Sequence, residues 1–396
     1  MTRLWTTFIS LVVLVISLPL SADTQPDQWV EKQSFSMDTY TTHGGVTIKD
    51  VTVGWEAYGT LNEAKDNVVL ITHFFSGNSH AAGKYSADDP QAGYWNAIIG
   101  PGKALDTDKY YVISVDSLVN AYPNLPNVIT TGPASINPDT GKPYGLDFPV
   151  VTIRDFVNVQ KALLEDLGIN KLHAVVGASM GSLQAIEWAA AYPNWVERMV
   201  SVIGAGSLDA WTIMGLEQWA QAIKLDPNWN GGDYYNGEAP LDGVTMAQAM
   251  ITHGAMHPEY INQAVPKQET LPQKGLESVT NELPAVEWLY GASRARAPLA
   301  DANHILYLVR ANQLFVAGHQ ETLEDGLKNI SAKTLFLPSS NDLLLMPYMA
   351  EQTANKLKEM NKRVQYEEID GPWGHLNGLF SIQQKTGLLS EFLATE

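Results

Sequence analysis

The sequence predicts an α/β fold, a mostly parallel sheet with helices on both faces and an inserted helical cap. Three observations carry this. Short runs dominated by apolar residues recur at 68–71, 110–115, 172–176, 199–203 and 334–337, as strands buried on both faces require. Segments with helical apolar spacing lie between or after them, at 152–167, 180–192 and 347–361. From 204 to about 331 the character changes: valine, isoleucine and threonine runs thin out while tryptophan, glutamine, alanine and methionine rise, so this stretch reads as helices set into the sheet domain.

The length of 396 residues suits one large domain or two modest ones, and a hydrophobic share of 45% supplies a sizeable core. Acidic residues outnumber basic ones 43 to 25, a formal net charge of −18, and no block of lysine or arginine stands out. That balance argues against nucleic acid or an anionic membrane as a partner. The chain has no cysteine, which excludes disulfides, thiolate metal ligands and a lipoprotein anchor.

Taken in order, residues 1–22 carry Arg3, an apolar run over 8–20 broken only by Ser10, Ser17 and Pro19, and the small pair Ser21-Ala22. This is the pattern of a secretory signal peptide cleaved after Ala22. A transmembrane anchor is the weaker reading, because a span needs ~20 apolar residues. Cleavage would leave a periplasmic or secreted chain with no membrane anchor, and losing Arg3 would make it one charge more negative. Residues 23–34 are polar and read as an extended lead-in. Residues 46–58 roughly alternate between turn signals at Gly44-Gly45 and Gly59, so edge strands of a hairpin are expected. The buried strand 68–71 runs into the loop Thr72-His73-Phe74-Phe75-Ser76-Gly77-Asn78-Ser79-His80, and the strand 110–115 follows. Residues 121–149 are dense in proline, asparagine and glycine and form a long ordered loop. In the helix 152–167, Asp155, Glu165 and Asp166 are assigned to the solvent side. After the cap come the strand 334–337, the helix 347–361, the strand 364–369 and the helix 377–393. The chain thus divides into a signal peptide (1–22), a first part of the core (23–205), the cap (206–331) and a second part of the core (332–396).

The chemistry centres on Gly177-Ala178-Ser179-Met180-Gly181, which joins the strand 172–176 to the helix 180–192. A G-x-S-x-G turn in that setting is a nucleophile elbow, with the serine in a strained conformation and its hydroxyl above the sheet. A serine hydroxyl needs a base to become nucleophilic at neutral pH, and histidine can take its proton and return it. Ligand sites in parallel sheets lie at the carboxyl ends of the strands. Two further polar residues follow such ends, Asp342 and His375, and the chain order Ser179, Asp342, His375 is that of the α/β-hydrolase triad. Asp370 competes with Asp342, but it sits on the same strand exit as His375 and only five residues before it. The backbone N–H groups of Met180 and Phe75 are the candidates for an oxyanion hole. His253 and His257 have helical spacing for a metal pair, yet Gly254 stands where a zinc-protease motif needs glutamate, so no metal is assigned and no cofactor is called for. Trp211, Trp219, Trp229 and Trp288 are assigned to cap packing and pocket wall.

The segments WNAIIGPGKALDTDK (95–109), GPASINPDTGKPY (132–144), DFPVVTIRD (147–155) and VGASMGSLQAIEWAAAYP (176–193) make the chain resemble the homoserine O-acetyltransferases of the α/β-hydrolase fold over about 35–394. The resemblance implies Ser179 as the acyl-carrying nucleophile, Asp342 and His375 as its relay, and Phe75 with Met180 as oxyanion donors. It also implies a helical cap through which members of that family often form homodimers. Two departures touch substrate recognition. The family carries an arginine in a stretch ending R-Q-A-I that grips the substrate carboxylate, and here the stretch reads Ala220-Gln221-Ala222-Ile223. An acidic residue follows the family's relay histidine and faces the amino-acid substrate; here it is Leu376.

Both changes remove recognition of a zwitterion and leave the triad intact. Acetyl-CoA, moreover, is not expected outside the cytoplasm. The sequence therefore leads to an exported serine hydrolase that forms an acyl-enzyme on Ser179, an esterase whose small-molecule substrates are uncharged acyl esters. Two alternatives stand beside it: an O-acyltransferase of the homoserine O-acetyltransferase kind using acetyl-CoA, and a non-catalytic binding protein on a hydrolase scaffold.

Overall fold

Runs such as Val68-Val69-Leu70-Ile71 have no polar face, so a strand built from them must be covered on both sides. The computed structural model, which describes residues 29–265 and 267–395, arranges them accordingly. Its main strands are β1 (Gln33–Thr41), β2 (Thr47–Tyr58), β3 (Val68–Thr72), β4 (Tyr111–Val115), β5 (Ala174–Ala178), β6 (Arg198–Val202), β7 (Lys333–Leu337) and β8 (Val364–Tyr366). They form one 8-stranded sheet in the order β1-β2-β4-β3-β5-β6-β7-β8. From β4 to β8 every pairing is parallel, and β1 and β2 add antiparallel pairings at one end.

Side chains alternate across this sheet into two buried layers. Val68, Leu70, Val175, Met199 and Phe336 enter the layer covered by α1 (Ile153–Asp166) and α2 (Met180–Ala191). Val69, Ile71, Val176, Val200 and Leu335 enter the opposite layer, with Trp95 and with Leu389, Phe392 and Leu393 of the helix Thr386–Ala394. Between β6 and β7 the described elements are all helical: α3 (Ala210–Lys224), α4 (Leu241–Ala255), α5 (Pro258–Ala264), Gln273–Glu277, Pro284–Arg296, Ala302–Gln313 and Leu323–Lys328, with short 3-10 turns among them. Among the described residues no helix is long and apolar enough to cross a membrane. The predicted signal peptide lies outside the described residues.

Four local expectations are corrected. The stretch 46–58 is not an edge, because β2 pairs with β1 on one side and β4 on the other, and β1 takes up the end of the presumed lead-in. The strand expected over 364–369 is only three residues long, since Glu367 and Glu368 are solvated, and Ile369 rejoins the sheet through a single bridge to Ser339. The helix expected over 377–393 breaks into Asn377–Phe380, a 3-10 turn Ile382–Lys385 and Thr386–Ala394. There the Asn377 amide donates to Ser339 Oγ, Asn341 Oδ1 and Gly371 O and accepts from Ser381 Oγ, which commits this segment to the 371–381 turn.

Asp155 is the fourth. It is fully buried rather than solvated. One oxygen accepts the Tyr40 hydroxyl at 2.7 Å and the His43 N–H at 2.6 Å, and the other accepts the Thr152 N–H at 2.7 Å and the Thr152 hydroxyl at 2.8 Å. The periodicity of α1 gave no sign of this, because a capping carboxylate in the first turn looks in sequence like a surface acid. Asp155→Ala would take the acceptor from all four donors, of which the Thr152 pair is buried, so urea denaturation is expected to read a loss of about 3 kcal/mol.

Candidate active site

Helix α2 starts one residue after β5 ends, and the residue between them is Ser179, with φ 56° and ψ −122°. An L-residue reaches that region only under constraint. The constraint is visible on both sides. The Ser179 N–H donates to Val202 O at 2.9 Å, and its carbonyl accepts from Ser182 N–H at 2.8 Å and Leu183 N–H at 3.2 Å. The flanking glycines supply room: a Cβ on Gly177 would lie 2.2 Å from Thr72 Oγ1 and 2.1 Å from Gly181 O, and one on Gly181 would lie 1.9 Å from Thr72 O. The carboxyl end of β3 is therefore pressed directly against the turn, and the Thr72 hydroxyl donates to Gly181 O at 2.7 Å.

The loop after β7 brings Asp342 and the turn after β8 brings His375 to the same point. His375 Nε2 lies 2.8 Å from Ser179 Oγ, and His375 Nδ1 lies 2.6 Å from Asp342 Oδ2. All three are buried. A carboxylate only accepts, so Nδ1 carries the imidazole proton and Nε2 is left as acceptor for the serine hydroxyl. Asp342 is fixed in turn by the N–H groups of Leu344 at 2.8 Å and Leu345 at 3.0 Å, both on Oδ1. The rival Asp370 is exposed and accepts the Ser340 hydroxyl at 2.8 Å, away from this relay.

Phe75 lies in the loop after β3, and Met180 opens α2. Among the described residues neither of their N–H groups donates to a protein acceptor, which leaves both free to face an oxyanion. Sequence reasoning missed the side chains that shape this loop. His73 is buried, donates through Nδ1 to Phe74 O at 2.8 Å and accepts the Ser117 N–H on Nε2 at 3.0 Å. Burial lowers its pKa, which suits a neutral ring with one donor and one acceptor. The Asn120 amide donates to Gly77 O at 2.8 Å. Nothing in local spacing marks either residue.

Apolar side chains pack around Phe75 and around Leu376. Phe75 meets Trp219 edge to face with centroids 5.5 Å apart, and both belong to one buried cluster with Ala220 on α3. Leu376 is partly buried against Met256, Tyr260 and Trp373. Of the other tryptophans, Trp229 donates to Asn303 Oδ1 at 2.9 Å and Trp288 lines an apolar cap cavity of ≈ 280 Å³ with Met256 and His253. Trp211 stands exposed, contrary to its assignment to cap packing. His257 serves as the N-cap of α5, its Nδ1 accepting the Glu259 N–H at 3.3 Å. Among the described residues no group of three or more His, Asp or Glu is placed to hold a metal ion.

Residues 124–381 match the family of the alpha/beta hydrolase fold. The homoserine O-acetyltransferase of Methanococcoides burtonii is 38% identical over 359 residues, which cover 88% of this chain and 70% of that protein. The chain belongs to the homoserine O-acetyltransferase family. Among solved structures, esterase E22 matches with a TM-score of 0.90 at 57% identity, covering 92% of this chain and 100% of its own. The homoserine O-acetyltransferase from Bacillus anthracis matches with the same TM-score at 38% identity, covering 93% and 99%. This member of the family is thus an enzyme of the α/β-hydrolase superfamily whose relatives include esterases and O-acyltransferases. In it, Asp342→Asn is expected to keep the fold and present an amide that favours the wrong imidazole tautomer. Turnover measured on any acyl substrate should then fall about 10⁴-fold.

Proposed function

We propose that this chain is a serine esterase acting on uncharged acyl esters through an acyl-enzyme on Ser179. The relay Asp342–His375–Ser179, at hydrogen-bond distances, beside two free backbone donors is the observation that carries the reading. Ser179 Oγ attacks the ester carbonyl while its proton passes to His375 Nε2, and the Asp342 carboxylate stabilises the imidazolium. The carbonyl oxygen becomes an oxyanion facing the N–H groups of Phe75 and Met180. Collapse of the adduct breaks the ester C–O bond, and the leaving alkoxide takes the proton from Nε2. Water then adds to the acyl-enzyme with His375 as base, and the acid departs as Ser179 recovers its proton.

The apolar residues Trp219, packed on Phe75, and Leu376, next to His375, favour an uncharged substrate. Ala220 and Leu376 offer neither a guanidinium for a carboxylate nor a carboxylate for an ammonium. Esterase E22 at 57% identity supports hydrolysis. A second reading, transfer of the acyl group to an alcohol, is favoured by the curated relatives named homoserine O-acetyltransferase. The two differ only in what enters after the acyl-enzyme forms. Export remains part of the proposal and rests on the pattern of residues 1–22.

Two measurements test this. A fluorophosphonate should label the wild type and not Ser179→Ala, and p-nitrophenyl esters should be hydrolysed without any added alcohol; a wild type that labels no better than Ser179→Ala is a scaffold without chemistry. Leu376→Asp should lower hydrolysis of uncharged esters and raise acyl transfer to homoserine relative to water, as product analysis would show. A wild type that acetylates homoserine from acetyl-CoA and leaves esters intact would replace esterase by acyltransferase. Cell fractionation of chains with and without residues 1–22 checks export, with retention of both in the cytoplasm counting against it.

A further inference from the structure

The loop that bears Phe75 rests on a cluster of buried charge that the relay does not use. Glu56 on β2 and Asp116 just after β4 are both fully buried, and among the described residues one lysine, Lys32 from the segment ahead of β1, reaches both. Its ammonium lies 2.7 Å from Glu56 Oε1 and 3.6 Å from Asp116 Oδ2, with the side chain only 10% exposed, and it donates to Ser79 Oγ. Room for it exists because residue 54 is glycine: a Cβ there would sit 2.4 Å from Asp116 Oδ2 and 3.2 Å from Lys32 Cδ. The same two carboxylates hold the rest of the loop. Asp116 Oδ1 accepts the Ser79 N–H at 2.7 Å. Glu56 accepts the Tyr58 hydroxyl at 2.9 Å, the Tyr85 hydroxyl at 2.5 Å and His80 Nδ1 at 3.0 Å, and Tyr58 Oη in turn accepts the N–H groups of Ala81 and Ala82 at 2.9 and 3.1 Å. Burial alone would raise the Glu56 pKa, but the His80 hydrogen bond and the Lys32 charge hold it at about 2, so the acceptor stays ionised. A short strap continues the attachment, with the Val30 N–H donating to Lys84 O at 3.0 Å.

We propose that Lys32 is a positioning residue for the oxyanion donor: by bridging Glu56, Asp116 and Ser79 it fixes the turn from Phe75 to Ala82 and so aims the Phe75 N–H. This rests on the esterase reading above. An oxyanion donor works only within a few tenths of an ångström of its place, and losing one outright costs ~10²–10³ in turnover. A cation taken away from two buried carboxylates leaves them uncompensated, and the loop hung on them shifts. No contact of Lys32 with substrate is implied.

The experiment compares Ser79→Ala, Lys32→Met and Lys32→Arg with the wild type. It measures KM and kcat on a short p-nitrophenyl ester, thermal stability, and the inhibition constant of an alkyl boronic acid, which forms a tetrahedral adduct on Ser179. Ser79→Ala keeps the three charges in place and should fold as the wild type does, with kcat lowered about 10–100-fold, a fraction of a lost donor, and KM nearly unchanged. Boronate affinity should weaken in proportion to kcat, which a general loss of stability would not produce. Lys32→Met should show the same split more strongly if it folds, and Lys32→Arg should recover part of it. The proposal is overturned if Ser79→Ala keeps wild-type kcat, or loses kcat with boronate affinity intact. A wild type inactive on every ester and blind to the boronate would overturn the esterase reading, and this inference with it; an active wild type with a neutral Ser79→Ala overturns this inference alone.

Discussion

The approach of β3 to the turn between β5 and α2 governs the geometry of the site. Gly177 and Gly181 face Thr72 at distances no side chain could occupy, so the turn cannot relax outward, and Ser179 is held at φ 56° by backbone bonds on both sides. A strained residue persists only where its surroundings over-determine it. Here the surroundings are the parallel sheet itself, whose neighbouring strands β3 and β6 contact the turn. The consequence is that the position of Ser179 depends on packing inside the sheet.

Charge is handled on the same terms. The chain is strongly acidic, yet the carboxylates around the site are each met by several donors, some local and some brought from far along the chain. Asp342 takes His375 and two backbone N–H groups, Asp116 takes backbone N–H groups of Ser79 and Ile129, and Glu56 takes two phenols, an imidazole and Lys32. A buried carboxylate without partners would cost several kcal/mol. Each therefore ties segments together, and Glu56 ties the region before the first strand to the loop after β3.

The layout of the sheet was legible because buried parallel strands leave a signal in local composition. So was the meeting of Ser179, Asp342 and His375, because the three follow strand ends in a fixed order, and chain order survives in one dimension. The residues left unread fail for a shared reason. Asp155, Glu56, Asp116 and Lys32 look in sequence like surface charges, and what buries them is a partner 29 to 115 positions away: Tyr40 for Asp155, Tyr85 for Glu56, Ser79 for Asp116 and for Lys32. Periodicity sees only neighbours. Trp211 errs in the opposite direction, an apolar residue assigned inward that stands in solvent, since a helix with apolar residues on more than one side does not announce which side is covered.

In the proposed mechanism the choice of acyl acceptor would be set by different residues from those that form the acyl-enzyme. On the proposed reading, once Ser179 carries an acyl group His375 would activate whichever hydroxyl reaches it, and an alcohol would outcompete water only if binding holds it in place. A zwitterionic alcohol needs partners for two charges. At Ala220 and Leu376 it would meet methyl groups, and an ammonium desolvated against leucine is penalised, not merely unassisted. An uncharged alcohol would escape that penalty. On the proposed reading Ala220 and Leu376 would thus act as a filter on charge and leave water and uncharged alcohols to compete on proximity, which would admit both ester hydrolysis and transfer to a neutral alcohol while disfavouring transfer to an amino acid.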